Sequence, residues 1–261
     1  MSMIRRLRKA IKDPKKAAWF LIIKINNTLI DMKTHKSYVS SDLKELNEIK
    51  ERSTALTDMS SHVETLFIES LAVKPKLIVE LGIRTGESTF VLERVAKLCR
   101  SKLVSVDIED CSHISSYKEW LFIQKDDIEF AKKFENWCKI NRIEPKIDIL
   151  FIDTSHLFEH TLQEIKFWFP LLSNRSKVFF HDTNLKKVYR RKDGSMGTTH
   201  GFYNERGVIR ALDKYFNKSF NEKENFVDFR NGWLIKHHSY CSGFTILEKI
   251  CPLVNDLPAT S

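Results

Sequence analysis

Short apolar runs alternate with amphipathic segments through the middle of the chain, and this alternation predicts the fold. The apolar runs have the length of buried strands, and the segments between them repeat their apolar positions at helical spacing. The predicted strands lie at 77–81, 103–107, 121–124, 147–152 and 176–181, and the predicted helices at 87–99, 127–140 and 159–169. Strands that alternate with helices predict a parallel sheet with helices on both faces.

The pattern changes after about residue 204. A helix is predicted at 205–216, and strand-like segments follow at 226–229, 232–236 and 243–248. Two late strands with a short connection predict an antiparallel hairpin at one sheet edge. The predicted fold class is therefore α/β, with a Rossmann-like, mostly parallel seven-stranded sheet and an antiparallel C-terminal hairpin.

The N-terminal segment differs in character from the predicted sheet. Residues 2–12 are predicted to form a short basic helix, and a second helix begins at Pro14 and carries the apolar run 17–23. This run is too short to cross a bilayer, which needs about twenty residues, and no small-residue cleavage site follows, so a signal peptide is not expected. We divide the chain into an N-terminal helical arm and connector, 1–58, and a larger domain, 59–261.

Most of the positive charge belongs to the arm. The chain carries a formal charge of +9, and residues 1–24 alone contribute +7, from eight Lys or Arg residues and one acid. The nearly neutral remainder argues against a nucleic-acid partner, because such enzymes more often carry their charge on the catalytic face. The arm either lies on an anionic membrane surface, with Trp19 and Phe20 inserted, or packs on the body or on a second subunit of a homo-oligomer.

The spacing of the cysteines indicates the cellular compartment. The five cysteines show neither a C-x-x-C pair nor zinc-ligand spacing. We expect reduced thiols in a cytoplasmic protein. Under the membrane alternative, the protein would be peripheral on the cytoplasmic face of the membrane.

A glycine-bearing turn follows the strand predicted at 77–81. The strand runs into the acid Glu80, and Gly82 and Gly86 precede an amphipathic helix. Glycine lets backbone approach a ligand closely, and a helix amino terminus offers free N–H groups. The next strand ends in Asp107, which can accept hydrogen bonds from both hydroxyls of a ribose. The segment therefore predicts a nucleoside site.

The spacing of the glycines selects the cofactor. In the dinucleotide motif G-x-G-x-x-G the second glycine admits a pyrophosphate, and Arg84 takes that place here. The form E-x-G-x-x-x-G resembles motif I of the class I S-adenosylmethionine (SAM)-dependent methyltransferases. An ordinary strand-to-helix turn in another α/β protein is the alternative. The resemblance implies SAM as cofactor, and the implied cofactor-binding residues are Glu80, Gly82, Arg84, Thr85, Gly86, Ser88, Asp107, Asp126 and Asp153.

Polar residues follow five of the predicted strands, where ligands bind in open α/β sheets. Asp126 comes after the third strand, where a carboxylate could meet the adenine amino group. Asp153 and His156 come after the fourth strand, and His181 and Asp182 after the fifth. We expect these side chains to converge at one rim of the sheet.

Longer motifs restrict the resemblance to one subgroup of these methyltransferases. The pattern I-D-x-x-H-x-x-E at 152–159, the run W-x-P-L-L at 168–172 and His181-Asp182 resemble the methyltransferase subgroup of sugar O-methyltransferases and cephalosporin hydroxylase-like proteins. The resemblance covers about 60–248 and departs at 174–177, where the family turns with Pro-Gly-Gly. It implies methyl transfer to a hydroxyl, of a sugar in a surface glycan or of a glycosylated natural product.

Two mechanisms remain open for such a transfer. Asp153 and Asp182 could bind Mg²⁺ or another divalent metal, which would act as a Lewis acid on the acceptor hydroxyl. His181 stands where relatives carry an acid, and imidazole suits softer metals than magnesium. Without a metal, His181 or His156 would be the general base, oriented by Asp182 or Asp153.

A long loop is predicted at 185–204, and it holds five cations. Loops of this length are often lids or binding elements. A basic lid fits an anionic acceptor, such as a phosphate-bearing or lipid-linked sugar, whereas the plain alternative is a solvated loop. Three other function classes stay open, namely a non-catalytic SAM-fold scaffold in a glycan-modifying complex, a hydroxylase-like member and a nucleic-acid methyltransferase.

Overall fold

The computed structural model describes residues 14–33, 41–199 and 206–250. The helices in these ranges are α1 (Pro14–Lys33), α2 (Lys44–Ser53), α3 (Val63–Val73), α4 (Glu87–Cys99), α5 (Asp127–Ala131), α6 (Phe134–Ile140), α7 (Phe158–Trp168) and α8 (Gly207–Phe216), with a 3₁₀ turn at Phe169–Leu171. The strands are β1 (Leu77–Leu81), β2 (Lys102–Asp107), β3 (Trp120–Gln124), β4 (Ile147–Ile152), β5 (Leu172–His181), β6 (Val188–Arg190), β7 (Met196–Thr198), β8 (Phe226–Arg230), β9 (Trp233–His238) and β10 (Phe244–Lys249).

The central sheet has the strand order β3-β2-β1-β4-β5-β10-β9-β8. Its first five strands are parallel, and β10, β9 and β8 are antiparallel to their neighbours. The predicted mostly parallel sheet is confirmed, but it contains eight strands and not seven. The edge strand β8 lies at the segment predicted for 226–229, and Asn231 and Gly232, with φ of 50° and 79°, join it to β9 through a two-residue turn of the kind that connects hairpin strands.

Helices cover both faces of the sheet, as predicted, because β1 and β4 alternate their side chains between two apolar clusters. On one face, Val79 and Leu150 pack with Trp168 of α7. On the other, Ile78 and Phe151 pack with apolar residues of α3 and α4. Buried strands between two helical layers give continuous apolar runs, which is why these strands were clear in the sequence. The single helix predicted at 127–140 is wrong in one respect, since it divides into α5 and α6.

The segment predicted as a long loop contains a β-hairpin instead. Strands β6 and β7 pair antiparallel, and Arg191 between them is only 5% exposed. Its guanidinium donates hydrogen bonds to the carbonyl oxygens of Leu56 and Thr57, each at 2.8 Å. Arg191 therefore anchors the hairpin and is not a cation of a mobile lid. Residues 200–204 lie outside the described residues.

The arm docks on this hairpin through one side of α1. Asn27 donates to the carbonyl of Met196 at 3.0 Å and accepts from its N–H at 2.7 Å, and Ile23 is buried. The remaining surface of α1 exposes large apolar side chains, namely Trp19, Phe20, Leu21, Ile22, Ile25 and Leu29. The basic helix predicted at 2–12 lies outside the described residues. Within the described ranges, no helix has the length and apolarity that a membrane span requires.

Candidate active site

The turn between β1 and α4 holds both motif glycines in left-handed conformations. Gly82 has φ of +83°, and a Cβ there would lie 2.1 Å from the carbonyl oxygen of Asp153. Gly86 has φ of +79°, and its Cβ would lie 2.5 Å from a methyl carbon of Ile114. The space beside each glycine is thus filled by protein atoms. The turn needs glycine for its own packing before any ligand is considered.

The acid of the motif, Glu80, lies beneath this turn and is fully buried. It accepts hydrogen bonds from Ser88 at 2.6 Å, from Thr89 at 3.0 Å and from Ser105 at 2.5 Å. Burial raises the pKa of Glu80 to about 7, although these three hydroxyls favour its charged form. Two predicted cofactor residues, Glu80 and Ser88, therefore bond to each other and connect β1 with α4.

Asp107 joins the end of β2 to the same turn. One carboxylate oxygen accepts from the backbone N–H of Ile83 at 2.7 Å and of Arg84 at 3.2 Å. The other oxygen accepts from the N–H of Glu109 at 2.9 Å. The side chains of Arg84 and of its neighbour Thr85 are exposed. Asp107 therefore fixes the turn and lies partly open at the rim beside it.

Asp126 lies after β3 at the same rim and is exposed. Its side chain accepts from the N–H of Glu129 at 2.9 Å and caps the amino terminus of α5. This is the role that aspartate commonly has at a helix start. Among the predicted cofactor residues, the exposed side chains are those of Arg84, Thr85 and Asp126.

Two acids and two histidines meet after β4 and β5, as the sequence predicted. Nε2 of His156 lies 3.0 Å from Asp153 and 2.9 Å from Asp182. Nδ1 of His181 lies 3.3 Å from Asp153 and 3.5 Å from Asp182. His156 and Asp182 both have φ of 56°, a strained conformation for these residues that is common at functional sites. We call these four residues the rim cluster.

The charges of the rim cluster compensate one another. Burial opposes the charged form of His156, but the two carboxylates raise its pKa to about 10. Burial likewise opposes protonation of His181, and Asp182 and Asp153 raise its pKa well above the usual value. The imidazoles in turn lower the pKa of both acids against the effect of burial. The carboxylates thus favour the protonated form of both histidines, which opposes the predicted role of either as a neutral base.

The donor atoms of the rim cluster also suit a divalent ion. Asp153, His181 and Asp182 each offer a ligand atom, and these atoms lie within 4.8 Å of one another. Oδ1 of Asp182 is buried, and among the described residues it has no hydrogen-bond partner. Bound there, such an ion would supply Lewis-acid polarisation of an acceptor oxygen. His156, which now bridges the two carboxylates, would have to move aside.

A second group of acids and a histidine lies nearby and was missed in the sequence. Nε2 of His160 lies 2.9 Å from Asp127 and 3.7 Å from Glu164. Thr154, next to Asp153 in the chain, donates to Glu164 at 2.6 Å. A signal was available, because His160 and Glu164 are four residues apart on α7 and so share one helix face.

A cavity of about 490 Å³ opens beside the end of β5. Its lining includes Asn184, two residues beyond Asp182, and the cations Lys186, Arg206 and Lys223. Arg206 forms ion pairs with Asp213 and Glu222, whereas both lysines are exposed. The cavity carries positive charge, and Asn184 is the lining residue nearest in the chain to the rim cluster. The remaining lining residues are Leu185, Ser219, Phe220, Asn221 and Glu222.

Residues 79–183 match a family model described as a methyltransferase domain. The match begins in β1 and ends just beyond His181-Asp182, so it contains the glycine turn and the rim cluster. A comparison with curated proteins gave no match.

Solved structures share the fold at low sequence identity. MycE methyltransferase from the mycinamycin biosynthetic pathway, in complex with Mg, SAH and mycinamycin VI, is 19% identical with a TM-score of 0.51, over 81% of this chain and 55% of MycE. Cofactor-bound Rv0187 from MTB is 12% identical with a TM-score of 0.53, over 82% of this chain and 93% of that one. The O-methyltransferase from Bacillus cereus in complex with SAH is 13% identical with a TM-score of 0.50, over 87% and 97%.

The fold and the matched domain define the class of this protein. It has the α/β fold of these methyltransferases and contains a methyltransferase domain. The match covers 105 of the 261 residues, and it agrees with the resemblance to class I SAM-dependent methyltransferases seen in the glycine turn. The chain spans only about half the length of MycE.

Proposed function

We propose that this protein is a SAM-dependent O-methyltransferase that acts on a sugar hydroxyl, in a surface glycan or in a glycosylated natural product. One observation carries the proposal. Gly82 of the glycine turn packs against the backbone of Asp153, a member of the rim cluster. The turn that resembles a SAM-binding loop and an acid that could accept a hydroxyl proton therefore meet at one point.

The cofactor would lie across the glycine turn and the amino terminus of α4. Asp107 would accept the ribose hydroxyls and Asp126 would lie near the adenine, with Arg84 and Thr85 beside the amino-acid end. Glu80 and Ser88 would act indirectly, by holding the turn in shape. Two structural neighbours contain SAH, which is SAM without its methyl group, and this supports the choice of cofactor.

Asp153 is the member of the rim cluster that an acceptor can reach. Its side chain is 25% exposed, whereas that of Asp182 is 9% exposed and that of His181 only 1%. We place the acceptor hydroxyl against Asp153, which orients the oxygen in line with the sulfonium methyl. The oxygen–carbon bond forms as the carbon–sulfur bond breaks, and the hydroxyl proton passes to the Asp153 carboxylate. SAH and the methyl ether are the products.

The cavity beside Asn184 would hold the rest of the acceptor. Lys186 and Lys223 line it and are exposed. A phosphate or diphosphate attached to the acceptor sugar would pair with these lysines through charge-assisted hydrogen bonds. The anionic or lipid-linked acceptor expected from the basic segment 185–204 is thus supported by Lys186 of that segment, together with Lys223, and not by Arg191.

The exposed apolar side of α1 supports a peripheral membrane contact. Trp19 and Phe20 are each nearly half exposed on a helix that is otherwise attached to the β6–β7 hairpin. Pelleting with anionic vesicles should fail for the variant Trp19→Ser/Phe20→Ser and persist for Ile140→Ser, which changes an apolar residue exposed elsewhere. Loss of a dimer in this variant, with unchanged vesicle pelleting, would assign α1 to a second subunit instead.

Turnover tests the proposed reaction. Purified protein is supplied with SAM and with nucleoside-diphosphate sugars, lipid-diphosphate-linked sugars or glycosylated macrolides, and SAH release and the methylated product are measured. We expect an acceptor-dependent product that is lost in Asp153→Asn. Binding of SAM without turnover on this panel would favour the scaffold alternative, and a hydroxylated product would favour the hydroxylase-like alternative.

A further inference from the structure

We propose that Asp127, His160 and Glu164 form a second metal site, which takes a divalent transition-metal ion such as Zn²⁺. These residues come from the first position of α5 and from successive turns of α7. Their ligand atoms all lie within 4.8 Å of one another. The site is separate from the rim cluster and does not depend on the proposed reaction.

The distances within the group suit a small ion. The imidazole nitrogen of His160 lies 2.9 Å from Asp127 and 3.7 Å from Glu164. Zinc bonds of about 2.0–2.2 Å in tetrahedral geometry put neighbouring ligand atoms about 3.4 Å apart. The observed separations lie on either side of that value. Small side-chain rotations would therefore be enough to place all three atoms around one ion.

Two oxygen atoms of the group have no assigned hydrogen-bond partner. Oδ2 of Asp127 and Oε2 of Glu164 are buried, and neither has a hydrogen-bond partner among the residues that the structure describes. The Glu164 side chain is 0% exposed and that of Asp127 is 9% exposed. Buried carboxylate oxygens without partners are costly, and such atoms are common where an ion belongs.

The charge of the group also calls for a cation. Two carboxylates face a single imidazole, and in the described part of the chain neither carboxylate forms an ion pair with a lysine or arginine. One imidazole with two carboxylates matches the ligands of Zn²⁺ or Mn²⁺ better than those of Ca²⁺, which takes six to eight oxygens. His160 is the most exposed member, with 22% of its side chain accessible, so a water molecule can complete the coordination from that side.

The position of this group between α5 and α7 indicates what a bound ion would do. Glu164 accepts a hydrogen bond from Thr154, which follows Asp153, and Asp127 follows Asp126. An ion here would therefore tie α7 to α5 and support two loops of the rim. Thr154 would orient the ligand Glu164 through its hydrogen bond.

Metal counting tests the site. The full-length protein is stripped with a chelator and titrated calorimetrically with ZnCl₂ and, separately, MnCl₂. The background variant Asp182→Asn weakens the rim cluster as a competing ion site, and Glu164→Gln is then added to it. We expect one ion to bind the background variant and affinity to fall at least about 100-fold in the double variant, beyond the loss typical for an outer-shell partner.

Single variants give a test that does not depend on the folding of the double variant. Wild type should bind one ion more than Glu164→Gln or His160→Gln, with circular dichroism showing that each variant is folded. Co²⁺ in place of Zn²⁺ should give visible absorption in wild type that is lost in His160→Gln. No binding to the wild type and background variant, or equal ion counts with a folded Glu164→Gln or His160→Gln, would overturn the proposal.

Discussion

Gly82 lies so close to Asp153 that a methyl group on its α-carbon would stand 2.1 Å from the Asp153 carbonyl oxygen. This contact joins the turn after β1 to the loop after β4. It fixes the distance between the proposed cofactor loop and the acid that we place against the acceptor. The glycine of the motif is therefore a positioning element for the rim cluster.

Gly82→Ala should displace that loop. Backbone atoms cannot yield as a flexible side chain can, so we expect the variant to lose about 1–3 kcal/mol from overpacking in addition to its backbone strain. Gly232→Ala is the matched control, because Gly232 has a similar φ of +79° but its nearest neighbouring atom would be 3.9 Å away. Its unfolding free energy should fall only by the cost of the backbone strain, about 1–2 kcal/mol. Urea unfolding of both variants measures the difference, and equal losses would show that the contact is unimportant.

Glu80→Gln should change how stability depends on pH. The pKa of Glu80 is raised from 4.5 to about 7 by burial, so the folded state binds a proton that the unfolded state has released. This contribution is fully present below pH 4.5 and is lost as the pH rises through 7. The wild type should lose about 3 kcal/mol of unfolding free energy across this window, and the variant should not.

The measurement is urea unfolding of wild type and Glu80→Gln at several pH values between 4.5 and 8. The glutamine keeps the size of the side chain and can still bond to Ser88 and Ser105, so the comparison isolates the proton. Parallel stability curves would mean that Glu80 is ionised throughout and that the hydroxyls outweigh its burial.

Arg191→Met should loosen the β6–β7 hairpin from the body. The substitution removes the donors to the carbonyls of Leu56 and Thr57 and leaves these groups without their present partners. We expect a loss of about 2–4 kcal/mol of unfolding free energy. Arg190→Met is the control, since Arg190 is exposed on the same hairpin and should change stability by no more than about 0.5 kcal/mol. A similar loss in both variants would argue against the anchoring role.

Lys186→Ala/Lys223→Ala should affect only charged acceptors. If the cavity binds a phosphate-bearing sugar, KM for that acceptor should rise about tenfold, as expected for the loss of charge-assisted hydrogen bonds. KM for SAM and for an uncharged sugar should not change. Lys192→Ala, which removes an exposed cation that does not line the cavity, should leave all three constants as they are. An equal rise for charged and uncharged acceptors would contradict an anion subsite.

The strands of the sheet could be predicted because each is encoded by a short run of neighbouring residues. Strands such as Leu77–Leu81 and Ile147–Ile152 are buried on both faces and show as apolar runs. Since parallel strands end at one edge, the convergence of Asp153, His181 and Asp182 followed from their places just after β4 and β5.

Contacts between distant segments could not be predicted in the same way. The burial of Arg191 depends on carbonyl groups at Leu56 and Thr57, more than 130 residues away in the chain. Likewise, Glu80 lies near the end of β1 but bonds to three hydroxyls inside the fold, so its side chain does not reach the rim. The segment of the edge strand, by contrast, was predicted at 226–229, so only the count of seven was wrong.

Calorimetric titration of SAM into wild type, Asp107→Ala and Glu109→Gln tests the proposed cofactor site most directly. Asp107 accepts hydrogen bonds from the glycine turn. Glu109 is an exposed carboxylate two residues away, and replacing its side chain leaves these hydrogen bonds intact. We predict one SAM per chain in wild type, affinity weaker by about tenfold or more in Asp107→Ala and unchanged affinity in Glu109→Gln. Full affinity in a folded Asp107→Ala, or no binding to wild type, would contradict the site described here.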